Sequence, residues 1–181
     1  TRAGKGTGQI IPNLLRWSGS VLVIDIKGEN YLHSAGCRQE KHQQKIVRFA
    51  PFEAESGVWN PLMSIRASLG RTTSTPEEEE DARYLTNLLI APSGNSNDVF
   101  WENSARNFLE GLLLYVRTHE LRPDLAESDD PDEIVRVRER SMSEVRRLLT
   151  LDDRSFNRLL ALMGASTRTI ISQSGNSLLR L

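Results

Sequence analysis

Five residues, Gly4-Lys5-Gly6-Thr7-Gly8, set three glycines around a lysine and a threonine. That combination suits the holding of an anion. Glycines let successive backbone N–H groups turn toward one point, through angles that other residues adopt only with strain. A helix starting just after them aims its positive end at the same point. Ile10, Ile11, Leu14, Leu15 and Trp17 fall at helical spacing, which predicts such a helix over Thr7–Trp17, with Pro12 expected to kink it or remove one hydrogen bond. Gly4-Lys5 fits the central pair of a Walker loop, whose first glycine would fall two residues before Thr1. Lys5 would then reach the β- and γ-phosphates of a nucleoside triphosphate. One position departs from the pattern: Gly6 stands where the magnesium-ligating hydroxyl belongs, leaving Thr7 or water to serve. A flexible basic loop is the other reading of the same residues.

The next chemistry-bearing group is Asp25, which ends the run Val21-Leu22-Val23-Ile24. A stretch apolar on both faces is what a central strand of a covered parallel sheet requires. Four apolar residues before an acid resemble a Walker B strand, with the carboxylate holding Mg²⁺ through water; an aspartate capping the following turn is the alternative. Lys27-Gly28-Glu29 would lie at the carboxyl edge of that sheet, where open α/β folds bind ligands, or would form a surface turn. Lys45–Phe49 reads as a second, weaker strand, and a helix is expected around Tyr31–Arg38. Together these suggest βαβ units.

From about Thr75 onward the pattern is all helix. Thr75-Pro76-Glu77-Glu78 is a capping box with proline at the first helical position, and the acid run Glu77–Asp81 is expected as a solvated capping face. That helix runs through Leu89 to a stop at Ala91-Pro92-Ser93-Gly94. A second, from Asn97 or Asp98 to about His119, carries Trp101, Ala105, Phe108, Leu109, Leu112, Leu113 and Val116 as its core stripe. A polar loop with a short helix is expected over 120–140, then helices near Met142–Leu149 and Arg154–Met163, and a final stretch Thr167–Leu181. Arg136, Arg138, Arg140, Arg146 and Arg147 form a basic cluster, for salt bridging or for DNA phosphates.

Charge divides the chain. Residues 1–48 carry 8 Lys/Arg against 3 Asp/Glu, residues 49–140 carry 9 against 18, and residues 141–181 carry 6 against 3. The acidic middle block argues against that region gripping duplex DNA alone. Cys37 is the only cysteine, so no intrachain disulfide forms, which fits a reducing compartment. His33, His42, His119 and Cys37 have no metal-ligand spacing, and no Ser/His/Asp nucleophile pattern stands out. No stretch approaches the roughly 20 apolar residues that span a bilayer. Beginning at Thr1 rather than Met, the chain reads as a fragment.

Taken in order, TRAGKGTGQIIPNLL, SVLVIDIKGEN, VRFAPF, VWNPL and FWENSARNFLEGLLLYV resemble the type IV coupling protein family of the TraG/VirD type, the ATPases of bacterial conjugation and type IV secretion. The resemblance covers most of the chain and is strongest in residues 1–62 and 98–116. It implies a fold of α/β plus all-α type: a partial RecA-like P-loop sheet over residues 1–70, then an inserted helical domain over 71–181. It implies that Thr1, Arg2, Ala3, Gly4, Lys5, Gly6 and Thr7 form the ATP phosphate loop, with Asp25, Lys27 and Glu29 beside the nucleotide. Lys5 and Asp25 would serve catalysis, and Thr7 and Asp25 would hold Mg²⁺. The family's own Walker B strand comes after the helical insertion and is not found before Leu181. The whole protein would be a hexamer anchored in the bacterial inner membrane, facing the cytoplasm, through segments absent here. It would bind DNA with weak sequence preference, take relaxase or effector proteins as cargo, and deliver them to the secretion channel. The fragment would be soluble and unable to hydrolyse ATP alone. A cargo-receptor module acting through the helical domain is the alternative, and a different DNA-pumping P-loop motor a weaker third.

Overall fold

The computed structural model describes residues 4–91, 99–122 and 130–179, the side chains of 131 and 132 excepted. Thr1, Arg2, Ala3, the expected helix stop at Pro92-Ser93-Gly94, the expected start at Asn97 or Asp98, and Leu181 lie outside the described residues. The chain divides into two compact units, Thr1–Trp59 and Asn60–Leu181.

In the first unit a π-helical turn, Gly6–Ile10, leads into α1, Ile11–Arg16, and a longer helix, α2, spans Glu29–His42. The expected RecA-like sheet is absent: no strand occurs among the described residues. Val21–Ile24 has no strand partner, and its side chains stand in solvent, with Leu22 97%, Ile24 89% and Ile26 96% exposed. An apolar pattern states what a strand would bury, but a strand forms only where a neighbour pairs its N–H and C=O groups. Lys45–Phe49 also fails as a strand. Its Arg48 carbonyl accepts one bond from Gly57 N–H at 2.7 Å, across a turn closed by Glu53 N–H on Ala50 O at 2.8 Å. One such bond makes no ladder.

The second unit is built from helices whose starts are written locally. A 3₁₀ turn, Pro61–Ser64, precedes α3, Pro76–Leu89; then come α4, Val99–Thr118, α5, Pro131–Ile134, α6, Met142–Leu149, α7, Asp153–Gly164, and α8, Thr169–Leu179. The Thr75 hydroxyl accepts from Glu78 N–H at 3.3 Å and the Glu78 carboxylate from Thr75 N–H at 3.0 Å, completing the capping box. Ser141 caps α6 through Glu144 N–H, and Asp152 caps α7 through the amides of Arg154 and Ser155. Each such cap is worth about 0.5–2 kcal/mol.

The buried stretch of α4 begins only at Phe108 and runs to Arg117. Leu112–Val116 form the centre of the core with Leu62, Ile65, Leu148, Leu159 and Met163. Phe108 meets Phe156 edge-on at 5.7 Å. Trp101, expected in this core, is 65% exposed, because the cover over α4 does not reach its first two turns. Helix α8 comes close through small residues. A Cβ on Gly175 would stand 2.5 Å from Gly164 N and 2.6 Å from Leu160 O, and one on Gly111 would run into Ser174.

The acid run, expected as a solvated face, is partly structural, and the basic cluster makes the salt bridge that is one of its two readings. Glu78, within the acid run, is fully buried and pairs with Arg168 at 2.7 Å. In the basic cluster, Arg147 grips Glu144 and donates to the carbonyls of Ile134 and Arg136. Arg140 caps the end of α4 through the carbonyls of Arg117 and His119.

Candidate functional site

Gly4 sits at φ 64, a left-handed angle that a side chain would strain. Gly8 N–H then donates to Gly4 O at 2.8 Å, closing the first turn. The amides of Lys5, Gly6 and Thr7 precede that bond and belong to the donors every helix start leaves over. A Cβ added at Gly6 or Gly8 would meet nothing within 4 Å, so the front of the helix is bare backbone.

Pro12 explains the wide π turn behind it. Lacking an N–H, it cannot continue the ladder to Gly8 O, and Ile11 N–H reaches back five residues to Gly6 O instead. The proline thus reshapes the turn that carries the loop without ending the helix. Lys5 is exposed at the helix start, and the Thr7 hydroxyl donates to Gly4 O at 3.3 Å with its lone pairs still available.

Asp25 is committed to the start of α2. Its carboxylate accepts from Tyr31 N–H at 2.9 Å and from the Asn30 amide at 3.3 Å, while its carbonyl accepts from Gly28 N–H at 3.3 Å. Gly28, at φ 74, makes the turn between them. The capping geometry is therefore present, and a carboxylate with two donors keeps room for a further contact. Lys27 and Glu29 are exposed beside it, with Glu29 in the first turn of α2, where the helix dipole favours an acid.

Sequence reasoning assigned no role to Arg38, which is buried and holds the unit together. Its guanidinium donates to the carbonyls of Leu14, Trp17 and Gly19 and to the Gln44 side chain. A cation on the last carbonyls of α1 complements the negative end of that helix dipole. His42 adds a contact to Leu15 O at 3.1 Å, and Gln44 donates to the carbonyls of Ser18 and Gly19. The helix that carries the glycine loop is thus anchored at its far end by polar groups from α2 and from Gln44, two residues beyond it. The available signal was that α2 has almost no apolar face, so whatever holds it to α1 had to be polar.

The loop can hold an anion through amides and one lysine. No cluster of three or more His, Cys, Asp or Glu able to hold a metal occurs among the described residues. A magnesium ion here would therefore depend on phosphate oxygens and water, its usual partners, with at most Thr7 or Asp25 from the protein. Among the described residues no helix is long and apolar enough to cross a membrane.

Comparison with known proteins places this sequence in a family. The model of the type IV secretory system conjugative DNA transfer family matches residues 1–161. Conjugal transfer protein TraG of Escherichia coli is 40% identical over 117 residues, which cover 64% of this chain and 17% of TraG. Protein VirD4 of Rhizobium radiobacter is 32% identical over 119 residues, covering 64% of this chain and 16% of VirD4. The matched part is thus about one sixth of the length of these curated relatives. No solved structure matches significantly. With the family match running through the glycine loop, the Asp25 turn and most of the helical unit, the chain belongs to the conjugative DNA transfer family of the type IV secretory system.

Proposed function

We propose that the chain is the phosphate-loop and helical segment of an ATP-driven coupling protein, which recruits DNA or effector proteins and helps move them into a type IV secretion channel. The observation that carries this reading is the coincidence of the family match with a glycine-lined helix start bearing an exposed lysine. In this role the amides of Lys5, Gly6 and Thr7 donate to phosphate oxygens, and the Lys5 ammonium neutralises charge on the β- and γ-phosphates. ATP, when bound, supplies a γ-phosphoryl group for transfer to water, with Mg²⁺ sharing its charge. Thr7 and Asp25 would hold that ion through its water shell, and Lys27 and Glu29, at the start of α2, would contribute beside the nucleotide. Thr1, Arg2 and Ala3, which belong to the same loop motif in this reading, lie outside the described residues. The intact protein would work as a hexamer at the cytoplasmic face of the bacterial inner membrane, with DNA, relaxase or effector proteins and channel components as partners.

The test is Lys5→Ala in the intact parent protein, read by binding of a fluorescent ATP analogue and by the frequency of conjugative transfer. Losing one charge-assisted contact of about 1.5–3 kcal/mol should weaken nucleotide binding roughly ten- to a hundredfold. Transfer should fall with it. Unchanged affinity together with unchanged transfer would refute the reading.

A further inference from the structure

We propose that a cleft between α3, α4 and α8 binds an alkyl guanidinium group through the Glu110 carboxylate. The cleft measures about 280 Å³ and is lined by Arg83, Asn107, Glu110, Ile170, Gln173 and Ser177 among others. That is just below the usual range for whole drug-sized ligands, so it suits one charged group and its stem. It lies wholly within the second unit and does not depend on the nucleotide reading.

Glu110 is the unusual wall. Its side chain is only 9% exposed, yet its ion-pair partner is Arg83 at 3.3 Å, a side chain 60% exposed. A single long contact from a solvated arginine is weak compensation for a carboxylate taken out of water. Burial pushes the Glu110 carboxyl up, the nearby Glu79 charge adds to that, and Arg83 only partly opposes it. Elsewhere in the same unit the buried acid is treated differently: Glu78 collects two backbone amides and the buried Arg168. Glu110, by contrast, is buried and yet lines a cleft.

The rest of the lining fits a guanidinium. Asn107, Gln173 and Ser177 offer neutral oxygens to a planar fork of five N–H donors. Ile170 gives the aliphatic stem an apolar wall. Arg83, the one cation in the lining, occupies Glu110 as an internal competitor from the surface side and has to yield to a guest. The same group could arrive on a free small molecule or on an arginine of a protein segment.

Titration calorimetry on the full 181-residue chain tests this. The probes are N-acetyl-arginine amide, its uncharged isostere N-acetyl-citrulline amide, and a Gly-Arg-Gly peptide. The arginine compound should bind and the citrulline compound should not. Glu110→Gln should weaken binding at least tenfold, and Arg83→Ala should strengthen it severalfold by removing the competitor. Tighter binding of the peptide than of the amide supports a protein source, and equal binding supports a small one. Equal affinity for arginine and citrulline compounds, or an unchanged Glu110→Gln variant, would overturn the proposal. Arg83 is exposed, so its replacement should fold; if Glu110→Gln does not, weaker binding by Arg83→Ala is the overturning result.

Discussion

Replacing Arg168 by methionine should be among the most damaging single changes in the helical unit. Arg168 Nη1 lies 2.7 Å from Glu78 Oε2, while Nη2 donates to Ser68 O at 3.0 Å and Arg71 O at 3.1 Å. Both residues are buried, and Glu78 also accepts from the amides of Ser68 and Thr75. Methionine keeps much of the length and apolar contact but strands a carboxylate and two carbonyls. Breaking one side of a buried pair costs about 3–5 kcal/mol, a large share of the roughly 5–15 kcal/mol of a typical domain. At about 3–4 °C per kcal/mol for a unit of this size, the melting temperature should fall by roughly 10–20 °C. Urea unfolding followed by circular dichroism would measure it near neutral pH. Burial alone would push the Glu78 carboxyl up, but the amides of Ser68 and Thr75 and the Arg168 guanidinium outweigh it and hold it below the usual range. Its contribution is thus present above about pH 4.3 and lost as pH falls through the lower folded value. In the variant the Arg168 share of that lowering is gone, so the gap from the parent should narrow on acidification. Adding Glu78→Gln should recover part of the loss, because no unpaired charge then remains. A cost under about 1 kcal/mol, or strict additivity in the double variant, would show that this pair does not anchor α3 to the residue that leads into α8.

Three further outcomes follow from local geometry. Gly175→Ala should cost at least about 1–3 kcal/mol, since the new methyl meets the backbone at Gly164 and Leu160, whereas Gly36→Ala, with open space around it in α2, should stabilise by about 0.5–1 kcal/mol; melting curves separate them. Tyr115→Phe should be neutral or stabilising, because the buried Tyr115 hydroxyl has no hydrogen-bond partner while the ring stacks on His119 at 4.5 Å. Burial also pushes the Tyr115 hydroxyl up to about 12, Arg136 opposing, so its share of stability is intact below about pH 10 and lost as pH rises toward 12; the phenylalanine variant should lose that alkaline step in an unfolding-versus-pH series.

Helix starts were legible because each is encoded in three or four adjacent residues. Thr75 with Glu78 announces α3, and the expected Met142–Leu149 coincides with α6. Long-range partners were not legible. Val21–Ile24 has the composition of a buried strand, but composition does not say whether a neighbouring strand exists. The α4 stripe was read as one continuous buried face, although neighbours cover it only from Phe108. Glu78 and Arg168 are 90 residues apart, and Arg38 reaches Leu14 across 24, so neither contact leaves a local pattern. At the candidate site the glycines, Lys5 and Asp25 were recognisable by type and order. The π turn and the Arg38 clamp were not, since both depend on where carbonyls end up.

The bare span from Leu22 to Ile26 has a practical consequence. Val21 and Val23 are less exposed than their neighbours, which leaves Leu22, Ile24 and Ile26 as the most exposed apolar side chains of the span, with Ile26 already in the turn before α2. A short, exposed apolar stretch with a single charge is an aggregation-prone segment, with Asp25 as its gatekeeper. Concentrated solutions of the chain should therefore self-associate through this span and seed fibrillar aggregates, while a second charge placed at Ile24 should keep them clear.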